Sequence, residues 1–176
     1  MASDRNVLQS PLPKIRPILL GLCLVCLPAL TNAKTSCLWM NEATASGLLG
    51  GDSVGTFTEA TAGQPAVCTF TQQGKGTLRT LRITVAVASD PLASLGALAR
   101  VCGADAAPLK AIGNEALTCS TDEHKGGHGR WVIGRVRDQV FTIRLSSLLK
   151  DDPVLNPDTL MARAYTAAEQ VSGNLF

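Results

Sequence analysis

The segment that most constrains the fold of this chain is residues 131–147, in which two β-rich runs flank a polar break at residues 137–139. In the second run apolar and polar side chains alternate, with Phe141, Ile143 and Leu145 on one face and Thr142 and Arg144 on the other. A period of two indicates an antiparallel strand with one buried face. The break is short enough to join the two runs as a hairpin. A hairpin alone is only marginally stable in water, so the rest of the chain must supply strands or helices to cover it.

Six other segments have the periodicity or the end signals of regular structure. Helices are predicted over residues 42–49 after the cap Asn41, from Pro91 to a stop at Gly103, and from Pro157 to Gly173. Strands are predicted over residues 66–72, 77–88 and 115–119. An Asn or Asp precedes each helix as an N-cap, and proline is tolerated at the first helical position. The connections at residues 52–65, through Ala107 and Pro108, and at residues 120–129 are predicted as loops.

Together these segments predict a single α+β domain over residues 34–176. Strand pairs joined by tight turns favour antiparallel pairing, and helices are expected to cover one or both faces of the sheet. The predicted architecture is an antiparallel sheet of about five strands packed with helices, a size that is common for sheets in globular domains.

Residues 1–33 have the three features of a secretory signal peptide. The positive flank consists of Arg5, Lys14 and Arg16, and the apolar run covers residues 18–27. The small residues before the cleavage site are Thr31 and Ala33. This arrangement predicts cleavage before Lys34 and export of the mature chain to the periplasm or the cell exterior.

An uncleaved signal anchor is the alternative for this segment, and membrane attachment is expected only in that case. The apolar run is shorter than the roughly 20 residues that a spanning helix needs, which favours cleavage. Cys23 and Cys26 follow Leu22 and Val25, whereas a bacterial lipobox has a small residue at that place. Lipidation is therefore not predicted.

Cleavage changes the charge balance of the chain. The full sequence has 16 basic and 14 acidic residues, of which residues 1–33 contain three and one, so the mature chain has 13 of each. A domain without net charge lacks the electrostatic footprint of a nucleic-acid-binding protein. Aromatic residues make up only 4% of the chain, which disfavours stacking platforms for single-stranded nucleic acid. No nucleic-acid partner is predicted.

Four cysteines remain after cleavage, Cys37, Cys68, Cys102 and Cys119. An even number in an exported chain indicates two disulfides, for which three pairings are possible. Our prediction among the three is nearest-neighbour pairing, Cys37–Cys68 and Cys102–Cys119. In the loop-entropy model each bridge stabilises the fold by about 3–4 kcal/mol. The mature part contains no Cys-x-x-Cys, which argues against a thioredoxin-like site or a zinc ribbon.

Three short motifs connect this chain to a known group of proteins. Residues 37–50 (Cys-Leu-Trp-Met-Asn-Glu-Ala-Thr-Ala-Ser-Gly-Leu-Leu-Gly) place a cysteine before a capped helix that ends in Leu-Gly. A second cysteine lies in the strand motif Cys68-Thr69-Phe70, and residues 111–116 read Ala-Ile-Gly-Asn-Glu-Ala. Over most of residues 37–171 the chain resembles a family of small exported bacterial envelope proteins of unknown function, common in actinobacteria. The family's loop is Gly-x-Gly-Asp-Glu-Ala, so this chain lacks the first glycine and has Asn114 for aspartate.

The resemblance implies an α+β sandwich like that of the extrinsic oxygen-evolving-complex subunits of photosystem II. It also implies a bridge between Cys37 and Cys68. Many members of the family are lipoproteins, and this chain departs from them because it has no lipobox. The family brings no catalytic residues to the chain.

The best candidate for a chemical site is residues 122–129, Asp-Glu-His-Lys-Gly-Gly-His-Gly, which hold both histidines. With neighbouring carboxylates, Glu123 among them, His124 and His128 have the donor types that bind zinc, copper or nickel. Two glycines between the histidines argue against a helix that would place both imidazoles on one face. A solvated loop is the preferred interpretation, so no metal or other cofactor is predicted, and these three residues remain the alternative metal ligands.

Signals of catalysis are missing from the sequence. No serine lies in a Gly-x-Ser-x-Gly elbow, and a cysteine nucleophile would need a thiol outside the predicted disulfides. Five arginines lie on or between predicted strands and have the charge for an anion-binding sheet face: Arg79, Arg82, Arg135, Arg137 and Arg144. Such arginines are more often the solvated side of an amphipathic sheet, which is the preferred interpretation here.

The sequence thus predicts a non-catalytic exported domain of the periplasm, cell envelope or cell exterior that binds a protein, an envelope component or a small ligand. The alternative is a metal-binding protein or a metal-dependent enzyme that uses the loop containing His124 and His128.

Overall fold

A computed structural model describes residues 36–74, 76–123 and 126–176 of the chain. Residues 34–176 group into one compact unit. The described residues form three α-helices, namely α1 (Glu42–Leu49), α2 (Pro91–Cys102) and α3 (Pro157–Gly173). They also form seven strands, namely β1 (Val54–Thr58), β2 (Ala66–Gly74), β3 (Thr77–Val87), β4 (Ala107–Leu109), β5 (Glu115–Asp122), β6 (His128–Val136) and β7 (Gln139–Ser147). The α+β class is confirmed.

The strands form one sheet in the order β1-β2-β3-β7-β6-β5-β4, and all neighbours are antiparallel. The predicted number of about five strands is wrong, because β1 and β4 were both expected to be loops. Each is a short edge strand that pairs on one side only. The sequence of β1 is rich in glycine and threonine, and β4 contains Pro108, a residue that sheets tolerate mainly at their edges. Pairing in the folded chain, not local pattern, makes these segments strands.

The predicted loop at residues 120–129 is also wrong in part. Residues 120–122 continue β5, and residues 128–129 begin β6, with Asp122 opposite His128 in the register. The polar side chains of these residues give no apolar alternation, so the sequence pattern did not predict this extension. The strands extend because the hydrogen bonds of the sheet are made by the backbone, whatever the side chains are. His124 lies outside the described residues.

The central hairpin of β6 and β7 forms as predicted, with a two-residue turn at Arg137 and Asp138. Arg137 has φ 55°, a positive value that is uncommon for a residue with a side chain. Its backbone N–H donates a hydrogen bond of 2.6 Å to Oδ1 of Asn114, at the start of the neighbouring hairpin. This asparagine therefore braces the turn.

One face of the sheet, which we call the helical face, packs against α1 and α3. Its central row, Phe141, Ile143 and Leu145, is fully buried, as the alternation in the sequence predicts. The small residues Ala164, Ala167 and Ala168 of α3 belong to the same core cluster, so that helix lies close to the sheet. All three helices begin at their predicted N-caps, Asn41, Asp90 and Asn156.

Of the described helices, only α2 lies on the opposite face, which we call the open face. This helix packs mainly against β5, β6 and β7. In the sequence of α2, Leu92, Leu95, Leu98, Ala99 and Cys102 lie on one apolar stripe, but only Leu95 is buried. Leu92 is 59% exposed. The helix is thus less covered than its pattern suggested.

Both predicted disulfides are present, Cys37–Cys68 and Cys102–Cys119. The first ties the segment before α1 to the buried side of β2. The second ties the last residue of α2 to β5 on the open face. Because the bridge lies at its C-terminal end, α2 is fixed to the sheet there.

Candidate ligand-binding site

The open face contains a groove beside α2, with a volume of about 590 Å³. Such a volume falls in the range of roughly 300–1,000 Å³ that small-molecule sites occupy. We call this cavity the α2 groove, and its lining comprises Pro65, Thr84, Ala86, Val87, Ala88, Ser89, Ser94, Ala97, Leu98, Trp131, Val140 and Thr142.

The register of three strands builds the floor of the α2 groove. Thr84 of β3 lies opposite Thr142 of β7, and Ala86 lies opposite Val140. Trp131 of β6 adds the one large aromatic surface of the floor, and its side chain is half-buried. The alanines and threonines of the floor are too small to fill the space beside α2, so the space stays open.

An arginine pair lies next to this floor on the same face. Arg82 and Arg144 are directly opposite each other in the β3–β7 register, and Trp131 is opposite Arg144 on the other side. The guanidinium of Arg144 contacts Oε1 of Glu123 through Nη2 at 2.8 Å and Nε at 2.9 Å. Arg82 is exposed and has no ion-pair partner within the described part of the chain.

The five arginines of the sequence do not share one surface. Arg82, Arg135 and Arg144 are on the open face, where Arg135 pairs with Glu115 at 3.5 Å. Arg137 is in the turn, and Arg79 is buried on the helical face. Arg79 and Arg82 are separated by three residues, an odd number, which places their side chains on opposite faces of a strand.

A second pocket, of about 540 Å³, opens on the helical face at the same end of the sheet. Trp39 and Phe57 form part of its wall, with their rings edge to face and 6.1 Å between centroids. Leu38, 72% exposed, and Val87, 75% exposed, lie at its mouth. Val87 also lines the α2 groove, so the two cavities meet at the end of β3.

The residues predicted as alternative metal ligands do not come together in the described structure. His128 is on β6, and its Nε2–H donates a hydrogen bond of 2.6 Å to the backbone oxygen of Leu155. Glu123 is engaged by Arg144, while His124 lies outside the described residues. Among the residues that the structure describes, no group of three or more His, Cys, Asp or Glu side chains is placed to hold a metal ion.

The contact with Leu155 changes what we expect from a histidine substitution. The solvated-loop interpretation of the sequence predicts that replacing both His124 and His128 with alanine leaves the melting temperature nearly unchanged, with or without zinc. The structure instead predicts that His128→Ala lowers the free energy of unfolding by about 1–2 kcal/mol, because a buried carbonyl loses its hydrogen-bond donor. Chemical denaturation with and without zinc measures this, with Ser120→Ala, a substitution of an exposed residue of β5, as the control. Equal stability of His128→Ala and the wild type would contradict the prediction.

A buried polar cluster lies on the helical face, at the end of β3 and β7. The guanidinium of Arg79 makes two parallel contacts with Asp152, 2.6 Å from Nε to Oδ2 and 2.8 Å from Nη2 to Oδ1. Ser147 donates to Oδ2 of the same carboxylate at 2.6 Å. Sequence reasoning missed this cluster, although Arg79 has the same parity as the buried Leu81 and Ile83 and is thereby directed inward.

The cluster brings a serine, an aspartate and a histidine close to one another without the hydrogen bonds of a catalytic triad. In a triad the histidine accepts the proton of the serine and is held by the carboxylate. Here the Ser147 hydroxyl donates to Asp152, and His128 donates to Leu155. Ser147 is also fully buried, so the arrangement is suited to holding residues 147–155 in place, not to nucleophilic attack.

None of the described helices is long and apolar enough to cross a membrane. Comparison with known proteins gave no matching family model, no match among curated proteins and no match among solved structures. The resemblance to small exported envelope proteins therefore stays a prediction that is based on residues 37–50, 68–70 and 111–116.

Proposed function

We propose that this chain is an exported, non-catalytic binding module that takes the apolar part of a small ligand into the α2 groove. One observation carries the proposal: of the described helices only α2 covers the open face, and beside α2 that face forms a groove with Trp131 and Val140 in its floor. Ligand sites are typically concave and mainly apolar with a few polar groups, which is the composition of this groove.

Two features of the chain support export. Disulfides persist in oxidising compartments, and the domain has two of them in fewer than 150 residues. Residues 1–33 carry the predicted signal peptide. We place the mature protein in the periplasm, in the envelope or outside the cell, and propose that its disulfides hold the groove in shape there.

The groove lining supports binding in preference to catalysis. Its side chains are aliphatic, aromatic or hydroxyl-bearing, and none of them is an acid, a base or a thiol. Proton transfer or nucleophilic catalysis needs titratable groups within hydrogen-bond reach of the substrate. Trp131 offers a large, rigid apolar surface, which suits a ligand that has to be held.

A substitution that fills the groove tests this proposal. Ala97→Phe is expected to weaken binding of the neutral fluorescent probe N-phenyl-1-naphthylamine at least tenfold, because the new ring occupies the ligand's space between α2 and the sheet. A factor of ten corresponds to about 1.4 kcal/mol. The increase in probe fluorescence on leaving water gives Kd directly.

Ala162→Phe is the matched control, since Ala162 is an exposed alanine of α3 that lines neither cavity. It carries the same change in helix propensity and is expected to bind the probe as the wild type does. Failure of the wild type to bind the probe, or undiminished binding by Ala97→Phe, would count against the groove. Loss of binding in Leu38→Glu instead would assign the ligand to the pocket beside Trp39.

A further inference from the structure

The arginine pair beside the α2 groove gives its ligand a chemical class. Arg82 and Arg144 occupy one cross-strand row, and Thr84 and Thr142 of the groove floor occupy the next row on the same face. Successive rows on one face are about 6.5 Å apart along the strands. Trp131, which is in the floor, lies directly beside Arg144, a placement that puts β-carbons about 5 Å apart. The groove therefore has one cationic end.

Counted over the described side chains, the charge at that end equals one elementary charge. Glu123 lies against Arg144 and also accepts a hydrogen bond of 3.3 Å from the hydroxyl of Thr121, so its carboxylate is held in place there. Arg82, at the cross-strand position opposite Arg144, is exposed and has no ion-pair partner within the described ranges. Two guanidinium groups and one carboxylate leave a single positive charge, which one monovalent anion neutralises.

The shape of a guanidinium selects among monovalent anions. Its planar fork matches a carboxylate, with two parallel N–H···O bonds that are stronger than bonds to neutral groups. A phosphate monoester carries nearly two negative charges at neutral pH and would leave one of them unpaired here. Beyond the arginine row the lining is apolar or hydroxyl-bearing, so the rest of the ligand has to be uncharged and largely apolar.

We propose that the α2 groove binds a fatty acid, with the carboxylate at Arg82 and Arg144 and the alkyl chain along Trp131 and Val140 under α2. This inference rests on the proposed function, because it requires the groove to take an apolar ligand. Beyond the proposed function, the inference specifies a carboxylate as the polar group of the ligand and Arg82 as the residue that recognises this carboxylate. Arg82 is the main contact, since Glu123 already occupies Arg144.

Displacement of N-phenyl-1-naphthylamine by two matched ligands tests the inference at pH 7 and low salt. Decanoate is expected to bind at least tenfold more tightly than decan-1-ol, which has the same chain and no charge. Arg82→Gln should lower the affinity for decanoate to that for decan-1-ol and leave the alcohol's affinity unchanged. Arg100→Gln, an exposed arginine on the last turn of α2, is the control and should behave as the wild type.

Salt provides a second measurement that needs no variant. The preference for decanoate over decan-1-ol should shrink as ionic strength rises, because exposed charges are screened over about 10 Å at 0.1 M salt and about 3 Å at 1 M. A preference that is independent of salt would contradict recognition of the carboxylate by exposed arginines.

The outcomes separate this inference from the proposed function. If the wild type does not bind the probe, the proposed function itself is wrong. If the probe binds but neither ligand displaces it, the fatty-acid inference is wrong and the proposed function stands. If both bind equally well in the wild type, the groove binds apolar ligands but the fatty-acid inference is wrong. A decanoate preference that survives in Arg82→Gln places the anion elsewhere and also refutes it, as does tighter binding of decyl phosphate than of decanoate.

Discussion

Asp152→Asn is expected to lower the free energy of unfolding by about 3–5 kcal/mol, the range found when one partner of a buried ion pair is removed. The Asp152 side chain is fully buried, and Arg79 is nearly so. The amide keeps the size of the carboxylate but leaves the guanidinium charge buried without its counterion. The amide also has one acceptor oxygen fewer. In the carboxylate, Oδ2 accepts from Arg79 and Ser147, and Oδ1 accepts from Arg79 and from the backbone N–H groups of Val154 and Leu155.

Asp151→Asn is the control for this substitution. Asp151 is the exposed neighbour in the same turn and makes no recorded ion pair among the described residues. Its replacement is expected to change the free energy of unfolding by no more than about 0.5 kcal/mol, as surface substitutions usually do. Urea denaturation of both variants measures the difference, and similar losses in the two would show that the buried pair is not the cause.

The same pair makes stability depend on acid pH. Burial acts to raise the pKa of Asp152, but hydrogen bonds from Arg79, Ser147 and the backbone of Val154 and Leu155 outweigh it and hold that pKa well below its usual range. A lowered folded-state pKa stabilises the fold above the unfolded pKa of about 3.9, and this contribution is lost as pH falls toward the folded value. The difference between wild type and Asp152→Asn should thus shrink below about pH 4.

The parts of the fold that are predictable from the sequence are those in which one local pattern decides the structure. Alternation in β7 identified Phe141, Ile143 and Leu145 as buried, and Asn or Asp before a helix start located all three N-caps. These signals need no knowledge of the neighbouring strands, since a strand alternates its side chains and a helix start exposes N–H groups wherever it lies.

The parts that were missed depend on tertiary partners. The strand β1 forms because β2 offers it a ladder, although its own sequence is typical of a loop. Asp152 is in a polar stretch, and its burial follows only from the inward parity of Arg79 on a distant strand. Both the formation of β1 and the burial of Asp152 depend on partners that are distant in the sequence, so a short stretch of sequence around either one cannot reveal them.

The candidate site belongs to this second group. The apolar residues of α2 lie on one stripe, but the helix is fixed at its C-terminal end by the Cys102–Cys119 bridge and covers only part of the sheet. The groove is the space left over. Its cationic end was partly visible in the sequence, as two arginines at open-face positions of β3 and β7, but their pairing requires the register of those strands.

Phe141→Ala is expected to lower the free energy of unfolding by about 3–5 kcal/mol, the usual cost of removing a fully buried phenylalanine ring. Phe141 lies on β7, the strand between β3 and β6 in the middle of the sheet, and is 0% exposed. Its partner on β6 is Gly134, and a β-carbon built on that glycine would overlap the ring. Gly134 has no side chain that can move into the vacated space, so a cavity remains and the loss should be near the upper end.

Thr142→Ala is the control for the central strand, because Thr142 is the next residue of β7 and its side chain is half-buried on the open face. Removing its hydroxyl and methyl leaves no closed cavity, so the expected loss is below about 1 kcal/mol. Denaturant unfolding of each variant gives its midpoint and its m-value. An unchanged m-value shows that only stability has changed, and a changed m-value shows that the compactness of the denatured state has changed as well. Equal losses in the two variants would mean that burial on the helical face does not dominate stability. A loss confined to Phe141→Ala would identify that face, which α1 and α3 cover, as the core, and would leave the open face free to bind a ligand.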